Sequence, residues 1–182
     1  MKNTKVELVP LTSDDREQFI LDNQWSFKYG ALLEFGKRDD HTDADGEIIS
    51  RKTIEKCIDE PQNETYRIVV DGKRVGGVTL KIDKETNRNH LEILFISPEE
   101  HSKGIGYGAW QAVEALHPET KVWETCTPYF EKRNIHFYVN KCGFMIDQFW
   151  CEYFQPSEPM PDDERDSDEG PDEMFRFIKV MK

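Results

Sequence analysis

The most constraining feature of the 182-residue sequence is a change of periodicity near its centre. A β-rich run at residues 91–96 enters a proline-containing loop, and a glycine-rich stretch, His-Ser-Lys-Gly-Ile-Gly-Tyr-Gly-Ala, follows at residues 101–109. From Gly104 to Leu116 the apolar residues then recur about every 3.6 positions, which is typical of an amphipathic helix. The sequence therefore predicts a strand, a tight glycine-rich turn and a helix in direct succession.

This strand, loop and helix predict an anion-binding site. Glycines let the backbone turn tightly and expose several N–H groups, and a helix that begins near Gly104 adds the positive end of its dipole. A pyrophosphate can bind there with few side-chain charges. Gly108, one turn further on, lets the helix lie close to a neighbouring strand. Taken alone, the stretch is also compatible with a plain glycine-rich loop that opens a helix.

The flanking segments predict an α/β or α+β fold in a single domain spanning residues 1–182. Seven segments read as strands: 5–11, 64–70, 74–82, 89–96, 121–126, 144–154 and 174–181. Four segments read as helices: 14–33, 51–59, 104–116 and 127–142. The turn Asp71-Gly72 predicts an antiparallel hairpin between the second and third strands. Thr127-Pro128 has the cap and first-turn residues of a helix start.

The charge distribution bears on partners and location. The net charge of -12 argues against nucleic acid, because an acidic surface repels phosphate. Much of the acidic excess lies in the connection of the terminal hairpin, residues 156–173, for which we expect a solvated loop. No run approaches the roughly eighteen apolar residues of a membrane-spanning helix, and the N-terminus lacks the order of a signal peptide. We therefore expect a cytoplasmic protein that does not bind membranes.

We predict no metal site. The four cysteines are scattered without a C-x-x-C pair, which is typical of reduced, individually placed thiols. The segment 41–52 places Asp and Gly as an EF-hand does, but His41 and Lys52 stand where oxygen ligands are needed.

The path from Leu91 to Trp150 resembles the GNAT superfamily of acyl-CoA N-acyltransferases. The motif H-S-K-G-I-G, a helix, a strand and a second helix ending in F-Y-V-N-K-C-G-F carry the resemblance. It implies a GNAT-like mixed, mostly antiparallel central sheet of about seven strands with helices on both faces. It also implies acetyl-CoA as co-substrate and N-acetyltransferase activity toward a primary amine of a small molecule or peptide. Dimers are common in such proteins, so the resemblance is compatible with a homodimer.

The resemblance also implies a set of cofactor-binding residues. In this family the backbone amides of a Q/R-x-x-G-x-G/A motif hold the CoA pyrophosphate, and His101 replaces the usual Gln or Arg. Family members splay two strands before this motif, and a backbone N–H there polarises the thioester carbonyl. The implied residues are Phe95, Ile96, His101, Ser102, Lys103, Gly104, Ile105, Gly106 and Asn134. Asn134 precedes Tyr138 by four residues, whereas seven is the common family spacing.

Two catalytic residues are predicted. Tyr138 matches the family tyrosine that protonates the departing thiolate, although an aromatic side chain simply packed with Phe137 and Phe144 is the alternative. For a lysine-like amine of pKa ~10.4, only about one molecule in 2,500 is unprotonated at pH 7, so a base matters more than an acid. Glu92, acting directly or through water, is the predicted base, and His90 on the same face is the alternative.

Two other functions compete with acetyl transfer. Gly104-Ile105-Gly106-Tyr107-Gly108-Ala109 satisfies the Rossmann pattern G-x-G-x-x-G/A, but a hairpin precedes it where a βαβ unit should begin. The second alternative is a non-catalytic acyl-CoA-binding module of the same fold that acts as a sensor or scaffold. The presence of Tyr138 with an upstream carboxylate favours the enzyme.

Overall fold

The computed structural model describes residues 5–35, 46–157 and 173–182. Its strands are β1 Val6–Pro10, β2 Asn63–Val70, β3 Lys73–Lys81, β4 Arg88–Ile96, β5 Val122–Pro128, β6 Met145–Trp150 and β7 Met174–Val180. Its helices are α1 Arg16–Phe35, α2 Arg51–Asp59, α3 Ile105–Leu116 and α4 Lys132–His136, and α4 continues as a π-helical segment, Phe137–Cys142. Two 3₁₀ turns, Ser13–Asp15 and Pro98–Glu100, precede α1 and α3.

The seven strands form one sheet in the order β1-β2-β3-β4-β5-β7-β6. Every neighbouring pair is antiparallel except β4 and β5, which are parallel. The predicted mixed, mostly antiparallel sheet of seven strands is therefore confirmed. Among the described helices, none combines the length and the hydropathy needed to cross a bilayer.

Two apolar clusters cover the two faces of the sheet. The larger cluster joins α3 and the π-helical segment to the sheet through side chains such as Trp110, Trp123, Tyr138 and Phe177. The smaller cluster joins α1 and α2 to β4 and consists of Phe19, Ile20, Ile54, Cys57, Ile93 and Phe95. Helices on both faces, as predicted, follow from this division of the apolar side chains.

A β-bulge in β4 explains how one strand supplies both clusters. Leu91 belongs to the larger cluster and Ile93 to the smaller one, although alternate residues of a regular strand share a face. The register between β3 and β4 shifts here: Leu80 pairs with Leu91 and Thr79 with Ile93, so Glu92 is left without a partner. Bulges re-aim side chains and are frequent beside active sites.

A buried ion pair fixes the start of α1 to the sheet. Asp15 and Arg67 are only 4% and 2% exposed. Arg67 donates from Nε to Asp15 Oδ2 over 2.7 Å and from Nη1 to Asp22 Oδ2 over 2.8 Å. The two oxygens of Asp15 accept three hydrogen bonds, two from Arg67 and one from Arg74. The buried charges of Asp15 and Arg67 are therefore paired and hydrogen-bonded, as burial requires.

The helix predicted to begin at Thr127-Pro128 is wrong at its N-terminus. Thr127 and Pro128 instead end β5, where they pair with Phe175 and Met174 of β7, and the helix begins at Lys132. Cross-strand pairing to β7 outweighs the local capping signal, and a proline at the end of a strand costs little. The acidic connection 158–172 and residues 36–45 lie outside the described residues, so the solvated loop expected at 156–173 stays a prediction.

Candidate functional site

A gap between β4 and β5 is the central feature of the sheet. The two parallel strands pair only where Arg88 to His90 face Val122 to Glu124. Beyond this point β4 continues to Ile96 and β5 to Pro128, and the described residues show no further pairing between them. Thr125 marks the point of divergence, where its Oγ1 donates to the Leu91 carbonyl over 2.9 Å. The gap therefore opens toward the C-terminal ends of both strands.

Backbone groups of β4 line this gap. The N–H of Ser97 donates to the Val75 carbonyl over 2.8 Å, so this pair is a hydrogen-bonded pair of the antiparallel β3–β4 ladder. Hydrogen-bonded and non-hydrogen-bonded pairs alternate along such a ladder. Phe95 therefore directs its backbone to β3, whereas Ile96 directs its N–H toward the gap. Of the two backbone groups predicted to polarise a carbonyl, Ile96 is the one that faces the space between the strands.

Phe95 has a packing role instead. Its side chain is 4% exposed and makes an edge-to-face contact with Phe19 of α1, with ring centroids 5.2 Å apart. A Cβ atom on Gly77 would lie 2.3 Å from the Phe19 ring and 2.6 Å from the Phe95 ring. Glycine at position 77 therefore allows α1 to pack closely beside the end of β4.

The glycine-rich turn after β4 has the geometry of an anion site. Ser102 and Gly104 have positive φ angles of 65° and 74°. Among the described residues, no hydrogen bond joins the N–H groups of Ser102, Lys103 or Gly104 to a protein acceptor. The first N–H groups of α3 have no partner within a helix. A Cβ atom on Gly104 would meet nothing within 4 Å, so the row of amides borders open space.

The remaining residues of this turn anchor it. Ile105 is 4% exposed and belongs to the larger apolar cluster. A Cβ atom on Gly106 would lie 3.4 Å from the ring of Phe137, which places the N-terminus of α3 beside α4. A Cβ atom on Gly108 would lie 2.9 Å from Val6 Cγ2. The close approach of helix and strand that was predicted at Gly108 is therefore confirmed, and the strand is β1.

The side chain of His101 is fully engaged by protein groups. Its Nε2 lies 2.8 Å from the Ile96 carbonyl, which can only accept, so Nε2 carries the proton. Its Nδ1 then accepts from Arg133 Nη1 over 2.9 Å. Burial lowers the pKa of His101, and the positive charge of Arg133 lowers it further, although the Ile96 carbonyl partly opposes both effects. His101 is therefore a neutral link between β4, the turn and α4.

Lys103 is also paired with the protein. Its Nζ donates to Glu100 Oε2 over 2.7 Å, and Lys73 Nζ donates to Glu100 Oε1 over 2.6 Å. The hydrogen bonds from these two lysines lower the pKa of Glu100 to about 2. The carboxylate is thus charged at any physiological pH, and the pair fastens the turn to the β2–β3 hairpin.

Tyr138 lies in the larger apolar cluster at the same end of the gap as Thr125. It is 8% exposed, and its ring packs against Phe144 and Phe177 at centroid distances of 5.6 and 5.4 Å. Burial raises the pKa of its phenol well above the ordinary value, and a hydrogen bond with Thr125 opposes this rise. The hydroxyl is therefore protonated at neutral pH, and its interaction with Thr125 places it near the point where β4 and β5 separate. The packing alternative and the catalytic one are both compatible with this position.

Glu92, the bulge residue, lies on the opposite face of β4 from Leu91. Its Oε1 is 3.3 Å from His90 Nδ1, and its side chain is 15% exposed. Burial raises the pKa of Glu92, but His90 and the charge of Lys81 lower it more, so that the net pKa lies below its usual range. The structure thus brings the two predicted base candidates together and leaves Glu92 as a carboxylate.

Asn134 makes a contact across the end of the gap. Its Nδ2 donates to Thr127 Oγ1 over 3.3 Å, which joins α4 to the end of β5. Sequence reasoning missed two residues of this region, Thr125 and Arg133. Neither carries a local signal, because Thr125 is defined by its bond to Leu91 and Arg133 by its bond to His101. Among the described residues no group of three or more His, Cys, Asp or Glu side chains is placed to hold a metal ion.

The sequence of the chain is similar to a known protein family and to a bacterial protein. The profile of the acetyltransferase (GNAT) family matches residues 23–144. The chain is 42% identical to YrkN of Bacillus subtilis strain 168 over 182 residues, which cover 98% of this chain and 95% of YrkN.

Two solved structures show the same fold. The PaiA N-acetyltransferase of Thermoplasma acidophilum, in complex with coenzyme A, has a TM-score of 0.64 at 16% identity, over 97% of this chain and 99% of that one. The spermidine N-acetyltransferase of Vibrio cholerae, in complex with CoA and spermine, has a TM-score of 0.63 at 13% identity, over 97% and 95% of the two chains. At these identities the likeness establishes the fold alone.

Proposed function

Because the chain belongs to the acetyltransferase (GNAT) family, we propose that it transfers the acetyl group of acetyl-CoA to a primary amine of a small molecule or peptide. One observation carries the proposal: the backbone amides of Ser102 to Gly104, for which the described residues offer no acceptor, lie between β4 and α3 at the open end of the gap between β4 and β5. We further propose that residues 1–182 form a single domain, since β1 and β7 belong to one sheet.

The turn and the gap fit the two ends of an acyl-CoA. Exposed N–H groups together with the positive end of α3 suit a pyrophosphate, and the open side of Gly104 leaves room for it. The gap admits an extended arm between two strands that would otherwise pair. Acetyl-CoA supplies the activated acetyl group.

The N–H of Ile96 is the proposed donor to the thioester carbonyl. It faces the gap, and a backbone donor needs no reorganisation when negative charge develops on the oxygen. One such donor is typically worth about 10²- to 10³-fold in kcat. The bond from His101 to the Ile96 carbonyl holds the next peptide unit, between residues 96 and 97, and so restrains the backbone beside this N–H.

Glu92 is the proposed acceptor of the amine proton. Its carboxylate is charged at neutral pH, so it attracts an ammonium group and orients it beside the gap. Since the pKa of Glu92 lies far below that of the amine, the bound ammonium first loses one proton to solvent, and the neutral amine then attacks the thioester carbon. As the C–N bond forms, the nitrogen becomes acidic and gives a second proton to Glu92 or to a water beside it, and the C–S bond then breaks. Tyr138, whose phenol remains protonated, is the proposed donor to the departing sulfur.

A thiol-release assay tests this function. Purified protein is mixed with acetyl-CoA and, in turn, with polyamines, aminoglycosides, amino acids and peptides with free N-termini, and free CoA thiol is measured. We expect amine-dependent release with at least one class. CoA binding without release for any amine would favour a non-catalytic acyl-CoA-binding module, and absence of CoA binding would contradict both functions.

A further inference from the structure

Arg133 differs from the other described arginines in its partner. Six of the seven described arginines pair with a carboxylate: Arg16, Arg51, Arg67, Arg74, Arg88 and Arg176. Arg133 instead donates from Nη1 to an imidazole nitrogen of His101, and it is exposed. Among the described residues no carboxylate lies within ion-pair distance of its guanidinium. In the part of the chain that the structure describes, its positive charge is therefore not neutralised by a carboxylate.

The contact with His101 places this charge beside the amide turn. His101 directly precedes the amides of Ser102 to Gly104, and Arg133 is the second residue of α4. The N-terminus of α3 also lies beside the end of α4, because a Cβ atom on Gly106 would lie 3.4 Å from the ring of Phe137, the residue that follows α4. A guanidinium has five N–H donors, and the bond to His101 uses one of them.

The two basic side chains of the glycine-rich stretch, His101 and Lys103, already have protein partners. His101 has its proton on the Ile96 carbonyl and its lone pair on Arg133, so it has no donor left for a phosphate. Lys103 is paired with Glu100. Among the described side chains that contact the turn, Arg133 is thus a cation without a carboxylate partner and with unused donors.

We propose that Arg133 supplies the side-chain positive charge that binds the pyrophosphate of CoA, and that His101 is the positioning residue that holds its guanidinium beside the turn. This inference rests on the proposed function. In a family where the first motif position usually carries Gln or Arg, the guanidinium comes here from α4 and is held in place by a neutral histidine. The protonation state is essential: a proton on Nδ1 would remove the acceptor and set a positive ring against Arg133.

Calorimetric titration with CoA tests the role of Arg133. We expect Arg133→Gln to weaken CoA binding by about 10- to 100-fold, the usual worth of a charge-assisted hydrogen bond. Lys132→Gln is the matched control, since it removes an exposed positive charge one residue away that lies in no described contact with the turn, and it should change the affinity by less than about 3-fold. An equal loss of CoA affinity in both variants would indicate a long-range electrostatic effect and would overturn the assignment.

Dephospho-CoA, which keeps the pyrophosphate but lacks the 3′-phosphate, separates the two phosphate groups of the ligand. If Arg133 binds the pyrophosphate, Arg133→Gln weakens dephospho-CoA as much as CoA. A loss seen with CoA alone would assign Arg133 to the 3′-phosphate and overturn the proposal.

The positioning role of His101 has its own test. His101→Gln can donate to Ile96 and accept from Arg133, so it should retain most of the affinity, whereas His101→Ala should lose about as much as Arg133→Gln. The double variant His101→Ala with Arg133→Gln should be no weaker than the Arg133 variant by more than about 3-fold. Additive losses would refute the link. If the wild-type protein bound no CoA, the proposed function would be refuted. Failure of the proposed function can therefore be distinguished from failure of the Arg133 assignment.

Discussion

Replacing Tyr138 by phenylalanine isolates the chemistry of one hydroxyl from the packing of one ring. The ring contacts with Phe137, Phe144 and Phe177, at 5.4, 5.6 and 5.4 Å between centroids, do not involve the oxygen. The fold should therefore survive. Loss of the polar interaction between the hydroxyl and Thr125 should cost no more than about 1 kcal/mol, the net worth of one hydrogen bond, and so lower Tm by at most about 2–4 °C in a chain of this size.

The effect on catalysis should be larger than the effect on stability. A positioned general acid contributes up to several powers of ten, but a CoA thiolate with a pKa near ~8.5 leaves fairly readily. We therefore expect kcat to fall by about 10- to 1,000-fold, or roughly 1.4–4 kcal/mol of activation free energy. The affinity for acetyl-CoA should be nearly unchanged, because in the proposed mechanism the hydroxyl acts on the departing sulfur and not on the phosphates.

Thiol release at saturating acetyl-CoA, with calorimetry and thermal denaturation on the same samples, measures all three quantities. Tyr66→Phe is the control, since its hydroxyl donates to Glu64 over 2.7 Å near the C-terminal end of α3, away from the gap. It should leave kcat within about 2-fold. An unchanged kcat in Tyr138→Phe would remove Tyr138 from the mechanism and leave it a packing residue.

Three further predictions concern the turn, the base and the sheet. Gly104→Asn should keep the fold, because Asn tolerates a positive φ, and should abolish CoA binding by calorimetry; retained binding would refute the turn assignment. Glu92→Gln should lower kcat/KM by at least about tenfold. Since the pKa of Glu92 is depressed, the wild-type carboxylate persists as pH falls and is protonated only below about 4.5, so a loss of wild-type activity near pH 7 would point to another base. Gly77→Ala should destabilise the fold by about 1–3 kcal/mol through collision with Phe19, whereas Gly30→Ala, with no atom within 4 Å, should not; equal Tm values would contradict the packing argument.

The order of elements and the amide turn could be predicted because both depend on local sequence. Alternation of apolar residues identified all seven strands, and the glycines at positions 104 and 106 identified the turn. The helix start at Thr127 could not be predicted, since the same residues that cap a helix also pair with Phe175, almost fifty residues further along the chain. Long-range pairing of this kind leaves no local pattern.

The side chains of the turn were harder to assign than its backbone. His101 was expected to offer a donor to the ligand, but its ring is taken up by Ile96 and Arg133. The side chain of Lys103 is paired with Glu100, whereas the prediction that its backbone N–H contacts the cofactor stays a prediction. The backbone of the turn could be predicted because glycine favours positive φ angles. The partner of a side chain, in contrast, depends on which distant elements the fold brings together. For the same reason the bulge at Glu92 and its contact with His90 emerge only with the register of β3 and β4.

The most direct test of the account is the response of the turn amides to CoA. In backbone-amide NMR of the isotope-labelled protein, titration with CoA should shift the N–H resonances of Ser102, Lys103, Gly104, Ile105 and Gly106 in a saturable manner and slow their hydrogen exchange. Amides at the opposite end of α3, near His117, should stay unchanged. Saturable CoA binding that leaves the turn resonances unmoved would contradict the proposal that these amides hold the pyrophosphate.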